Sequence, residues 1–146
     1  MMFRTLVELE SLEKARSGAI WGNVWHELEG QYFPHRRWND MIVPYVTALA
    51  HGVFEAVQGR KAHVEFFDGP YSIEMLPVAP RIQIVLKGDP GFTSSELEKG
   101  DLASDVAKAG KRLLDACQQR GWGLDDDVRQ LKLILERLPQ DPPSGV

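Results

Sequence analysis

Between Arg60 and Lys87 apolar and polar positions alternate with period two in three consecutive runs. Ala62, Val64 and Phe66 alternate with Lys61, His63 and Glu65. Tyr71, Ile73 and Met75 alternate with Ser72, Glu74 and Leu76. Ile82, Ile84 and Leu86 alternate with Arg81, Gln83 and Val85. The pattern predicts a three-stranded antiparallel meander with one apolar face. Val64, Phe66, Ile73, Ile82 and Ile84 are expected to be buried, and Glu65, Glu74 and Gln83 exposed. The turn at Asp68-Gly69-Pro70-Tyr71 follows from composition, since Gly and Pro supply turn geometry and Asp a local hydrogen bond. The apolar face needs a cover, and the helices predicted on either side provide one.

Upstream, Phe3, Thr5, Val7 and Leu9 alternate against Arg4, Leu6, Glu8 and Glu10, an edge-strand pattern whose glutamates would also suit a helix. Ser17-Gly18 ends it. Ala19 to Leu28 reads as a second strand, with Gly22-Asn23 inside it marking either a bulge or a hairpin turn. Gln31-Tyr32-Phe33 then runs into Pro34, which ends any strand. Asn39-Asp40 reads as a helix N-cap before a stripe of Ile42, Tyr45, Val46, Leu49, Val53, Ala56 and Val57, closed by Gly59.

Downstream of the meander, Gly88 to Gly91 reads as a loop extended by Thr93-Ser94-Ser95. A second helix is expected from about Asp101 to Arg120, burying Leu102, Val106, Gly110, Leu113 and Cys117. Past Gly121-Trp122-Gly123, a third runs from Asp125 to Leu138 on Val128, Leu131, Ile134, Leu135 and Leu138. The expected order is β-β-α-β-β-β-α-α. This is an α+β domain over residues 1–138, with an antiparallel sheet of about five strands and about three helices mainly on one face. Residues 139–146 form a Pro-rich irregular tail.

Composition narrows the function classes. The chain has 146 residues and a formal net charge of −4, which argues against nucleic acid as partner because phosphate binding calls for a basic footprint. The lone Cys117 excludes an internal disulfide and a multi-cysteine metal site, and its place on an apolar stripe makes it a small core residue. No apolar run is long enough to span a membrane, and the first residues do not resemble a signal peptide, so a cytoplasmic location is expected.

Candidate chemistry is sparse. His26, His35, His51 and His63 show no metal-ligand spacing. Asp125-Asp126-Asp127 fits a helix start, where carboxylates answer free N–H groups and the helix dipole, better than a cation site. Phosphate-loop and dinucleotide glycine spacings are absent, and Ser94-Ser95 lacks the glycine context of a nucleophile. His35-Arg36-Arg37-Trp38 is too short for a nucleic-acid patch. Aromatic residues cluster at Trp21, Trp25, Tyr32, Phe33 and Trp38, which suits a core corner or a binding surface. No catalytic residue, metal or cofactor is expected.

Three stretches together resemble small bacterial immunity proteins encoded beside polymorphic or contact-dependent toxins. They are Trp38-Asn39-Asp40 opening a helix, Val64-Glu65-Phe66-Phe67-Asp68-Gly69-Pro70-Tyr71 closing a hairpin, and Arg120-Gly121-Trp122 between two helices. The likeness covers roughly Trp21 to Leu138. It implies a non-catalytic protein that neutralises a cognate toxin domain by forming a tight complex. The anchors are turn and core residues, so no binding residue carries over. The carboxylates that rigid elements are expected to display are Glu27, Glu29, Asp68, Glu74, Asp126 and Asp127, suited to covering a basic toxin surface. Other readings stay open: a small acidic secretion chaperone or adaptor, a small enzyme at the Trp/His corner using His26 or His35, and a homodimer-forming domain.

Overall fold

A computed structural model describes residues 3–88 and 92–138. Among the described residues eight strands run as β1 (Phe3–Lys14), β2 (Ile20–Leu28), β3 (Gln31–Phe33), β4 (Asn39–Asp40), β5 (Ala62–Glu65), β6 (Ser72–Val78), β7 (Arg81–Lys87) and β8 (Phe92–Glu98). The helices are α1 (Ile42–Val57) between β4 and β5, then α2 (Lys99–Gln119) and α3 (Asp126–Arg137) after β8. The α+β class, the antiparallel pairing and the three helices agree with the sequence pattern. The strands, however, divide into two four-stranded sheets instead of one sheet of five. One sheet has the order β1-β2-β3 with β4 also on β2, and the other has the order β5-β6-β7-β8.

The division follows from α1. Ile42, Val43, Tyr45, Val46, Leu49, Ala50, Gly52, Val53 and Ala56 are all buried, so its apolar surface is much wider than one stripe. Such a helix needs cover on several sides. It touches β2 of the first sheet, β5 and β6 of the second, and both other helices. The chain therefore crosses from one sheet to the other through α1. One apolar cluster draws on both sheets and all three helices. Two close approaches tighten it: a Cβ on Gly52 would lie 2.7 Å from Val64 Cγ2, and one on Gly110 would lie 2.6 Å from Leu135 Cδ2.

The meander forms as expected, in a register that pairs Val64 with Ile73 and Met75 with Ile84. Val64, Phe66, Ile73, Ile82 and Ile84 are buried and Glu65 is exposed. Glu74 and Gln83 are half-buried, not exposed, and Glu74 is ion-paired across the strands with Lys87. Thr93-Ser94-Ser95, read as loop, lies in β8. Leu97 is that strand's buried apolar anchor, so backbone pairing to β7 holds it more than any alternation does. Asp89 to Gly91 and Pro139 to Val146 fall outside the described residues.

Strand β1 is an edge strand, as expected. Its register against β2 shifts between Glu8 and Glu13, so the bulge lies on β1 facing Gly22, and Gly22-Asn23 is no hairpin turn. Ser11 fills the irregularity: its hydroxyl donates to the Glu8 carbonyl at 2.5 Å and accepts the Asn23 N–H at 2.8 Å. An open edge leaves backbone groups unpaired, and α2 answers two of them. Asp105 Oδ1 accepts the Thr5 N–H at 3.1 Å, and Arg120 donates to the Leu9 carbonyl at 3.1 Å. No helix among the described residues is long and apolar enough to cross a membrane.

Phe66 sits at the centre of the aromatic packing, 4.1 Å between ring centroids from Tyr45. Phe66→Ala is expected to destabilise the fold by about 3–5 kcal/mol. An unchanged urea midpoint would show the register of β5 to be otherwise.

Candidate binding site

A line of buried polar side chains crosses the core. Thr5 Oγ1 donates to Asp105 Oδ2 at 2.7 Å and lies 3.1 Å from His26 Nδ1, while His26 Nε2 lies 2.6 Å from the Tyr45 hydroxyl. With the Thr5 proton committed to Asp105, the consistent assignment has Nδ1–H donating to Thr5 and bare Nε2 accepting from Tyr45. His26 and Tyr45 are both fully buried. Burial pushes His26 down to about 3, against the opposing pull of the Arg4 carbonyl. Burial likewise raises the Tyr45 phenol, helped by the charge of Asp40. His26 is thus a neutral core group with both nitrogens engaged, and it does not serve a surface site. Cys117 is also fully buried, and burial pushes its thiol up to about 11.

Asp105 lies at the outer end of this line. It borders a cleft of about 610 Å³ between the start of β1, the end of β8 and α2, beside Arg4, Arg81 and Lys108. Burial raises its carboxyl to about 6, and the two Thr5 hydrogen bonds pull the other way. Arg4 and Arg81 are engaged by Glu27 and Glu98, each at 3.1 Å. Among the described residues no three His, Cys, Asp or Glu side chains gather as a metal-ligand group.

The second constellation centres on Asp40, which is fully buried. Asn39 and Asp40 do not cap α1. They form β4 against Asn23 and Gly22, and the cap position falls to Met41, without a side-chain cap bond. The Asp40 carboxylate instead ties three donors together. Oδ1 accepts the Met41 N–H at 2.7 Å, and Oδ2 accepts the Trp38 indole N–H at 3.1 Å and the Asp68 N–H at 3.2 Å. A buried charge is tolerated only when hydrogen-bonded, so this geometry fixes the loop before β4 and the β5–β6 turn against each other.

Aromatic rings continue the link. Trp38 packs edge-on to Tyr71 at 5.1 Å and to His35 at 4.9 Å, Tyr71 on Phe33 at 5.7 Å, and Phe33 on Phe66 at 5.8 Å. Two glycines close on this stack: a Cβ on Gly69 would come within 3.0 Å of both Tyr71 and Trp38, and one on Gly88 would lie 2.9 Å from Tyr71. Arg37 adopts a left-handed φ of 63° and reaches Glu8 at 3.2 Å. Phe67 stays 54% exposed at the rim.

The five aromatics that cluster in sequence separate in space. Phe33 and Trp38 join this corner, and Tyr32 is 49% exposed. Trp21 is half-buried. Trp25 is buried outside the main apolar cluster, and its indole N–H has no partner among the described residues.

The six carboxylates are also dispersed. Glu27 pairs with Arg4. Glu29 occupies the β2–β3 turn, 3.5 Å from Ser95 Oγ. Glu74 is held below the usual carboxylate range by the Lys87 hydrogen bond. Asp68 is exposed at the corner. Asp126 and Asp127 start α3 beside the β1–β2 turn, while Glu29 follows Leu28 at the other end of the same strand pair, roughly 25 Å away at about 3.3 Å per residue. They do not make one patch. Asp125 holds the N-cap position without a side-chain cap bond, its charge going to Lys14 at 2.5 Å.

Sequence reasoning missed Thr5, Asp105 and the role of Asp40. The nearest signal was the adjacency of Asp40 to Trp38 within a quoted motif. Asp105 carried no signal, because a lone acid on an amphipathic helix reads as solvated. No family model matches the chain, and no curated protein and no solved structure is detectably similar to it.

Two buried groups make stability depend on pH in opposite senses. His26 titrates at about 3 in the fold against 6.5 ordinarily, so the unfolded chain takes up the proton first and stability falls as pH drops below 6.5. Asp105 is raised from 3.8 to about 6, so the folded chain keeps a proton that the unfolded chain has lost. Its contribution is present at low pH and disappears as pH rises through 6. Asp105→Asn should therefore gain stability relative to wild type as pH rises from 3.8 through about 6, read by urea denaturation. A difference that stays constant would contradict this. Asp40→Ala strands the Trp38 and Asp68 donors and is expected to cost about 3 kcal/mol or more, with altered Trp38 fluorescence.

Proposed function

We propose that the chain is a non-catalytic protein-binding protein of the immunity type. It neutralises a cognate toxin domain by docking through the corner built from the 34–38 and 67–70 loops. One observation carries this reading: the buried Asp40 carboxylate ties both loops together while Phe67, next to Asp68, stays exposed. Loops held by a rigid scaffold are where binding residues concentrate, and a preorganised aromatic anchor loses little entropy on association. Two of the three stretches behind the immunity resemblance, Trp38 to Asp40 and Val64 to Tyr71, meet at this point.

The net charge of −4 favours encounter with a basic partner. The dispersed carboxylates Glu27, Glu29, Asp68, Glu74, Asp126 and Asp127 contribute to that overall field. On this reading the chain acts in the bacterial cytoplasm, where its toxin would otherwise act.

A second reading, a small-ligand or catalytic site, draws support from the raised Asp105 carboxyl beside a sizeable cleft. Among the described residues lining the cleft, Ser104 lies beside Asp105 but no histidine or cysteine does, so the docking reading ranks first.

Phe67→Ala separates the readings. The side chain is exposed, so the thermal midpoint is expected to hold. The complex with the toxin domain encoded beside this chain is expected to weaken about tenfold or more. Surface plasmon resonance on the purified pair and survival of toxin-challenged cells provide the measurements. Undiminished affinity and full protection would remove the corner from the interface.

A further inference from the structure

We infer that the cleft beside Asp105 binds an organic cation, an ammonium or guanidinium head on an aliphatic stem. Asp105 takes the head, and the apolar part of the lining takes the stem. None of the lining residues lies in the 34–38 or 67–70 loops, so this site is separate from the docking corner. It stands whether or not the chain neutralises a toxin.

At about 610 Å³ the cleft is of a size that holds small ligands. Phe3, Leu97 and Leu102 bring apolar surface to it from β1, β8 and α2. Asp105 is half-buried in this lining, whereas Glu96, Glu98 and Asp101 are exposed. Its carboxylate is also held in place. Oδ1 accepts the Thr5 N–H at 3.1 Å, and Oδ2 accepts the Thr5 hydroxyl at 2.7 Å. A carboxylate offers about four acceptor sites, so each oxygen keeps one for a further donor. An oriented acceptor beside apolar surface is what a charged head on a stem requires.

The balance of charge decides the sign of the ligand. Among the described residues, Glu96, Glu98, Asp101 and Asp105 line the cleft against Arg4, Arg81 and Lys108. Two of the cations are already paired: Arg81 with Glu98 inside the lining, and Arg4 with Glu27 outside it. Lys108 is left, and its charge acts on Asp105 together with that of Arg4. Glu96, Asp101 and Asp105 outnumber it, so a cation is favoured over an anion. His26, behind Thr5, adds no charge, because burial keeps it neutral down to about 3. No three side chains among the described His, Cys, Asp and Glu gather as metal ligands, so an organic head fits better than a bare metal ion.

The probes are n-hexylamine, n-hexanoate and a glycine-serine peptide carrying one lysine. They are titrated by NMR at the Thr5 amide and the Asp105 carboxyl carbon. Hexylamine is expected to bind, and hexanoate is not. An alkylammonium keeps its charge below about pH 9. The Asp105 carboxyl titrates at about 6, so affinity should rise as pH passes through that value. From roughly pH 5 to roughly pH 7 the gain should be about tenfold, and bound amine should lower the carboxyl's titration midpoint. Asp105→Asn should weaken binding about tenfold at neutral pH and flatten the pH profile. A lysine peptide that binds as well as hexylamine would assign the cation to a partner's side chain, and one that fails beside a binding amine would assign it to a free small molecule. No binding of hexylamine, equal binding of hexanoate, a flat wild-type profile or a pH dependence that survives in Asp105→Asn would overturn the inference. The wild-type profile and the hexanoate comparison decide it even if the variant fails to fold.

Discussion

The burial of α1 constrains everything around it. A helix with one apolar stripe needs one neighbour, but a helix buried at Ile42, Val43, Tyr45, Val46, Leu49, Ala50, Val53 and Ala56 must be enclosed. Two sheets and two further helices provide that enclosure. Splitting the strands before and after α1 is the topological consequence, because the chain must leave one sheet to form the helix and arrive at the other. The small residues at Gly52 and Gly110 let the backbone elements come close enough to fill the space without voids.

Inside that enclosure the polar groups are arranged so that none is left uncompensated along the main line. Asp105, Thr5, His26 and Tyr45 hand donors to acceptors in sequence, which permits a histidine and a tyrosine at full burial. The same line also closes the exposed edge of β1 by giving the Thr5 amide an acceptor. A helix side chain thus serves both core satisfaction and protection of a strand edge.

Periodicity made the meander, the helix stripes and the α+β class legible. It fails in three places, each for a physical reason. Thr93 to Ser95 belong to a strand held by backbone pairing, so their side chains carry no strong alternation. Asn39-Asp40 has the composition of a helix cap, yet tertiary donors from Trp38 and Asp68 outcompete the helix amides for the carboxylate. The number of sheets depended on how wide a face of α1 is buried, and the predicted stripe omitted Val43, Ala50 and Gly52. Of the candidate site, only Phe33 and Trp38 among the five clustered aromatics join the corner. The bond from the Asp68 amide to Asp40 spans 28 residues and leaves no local pattern.

A net charge of −4 and the buried carboxylate at the corner act over different distances. The summed field fades over about 10 Å at moderate salt and depends little on where each carboxylate sits. Scattered acids at opposite ends of the β1–β2 pair are sufficient for it. Asp40 works at the shortest range instead: its buried carboxylate, bonded to the Trp38 indole at 3.1 Å and the Asp68 amide at 3.2 Å, holds the two loops in a single relative position.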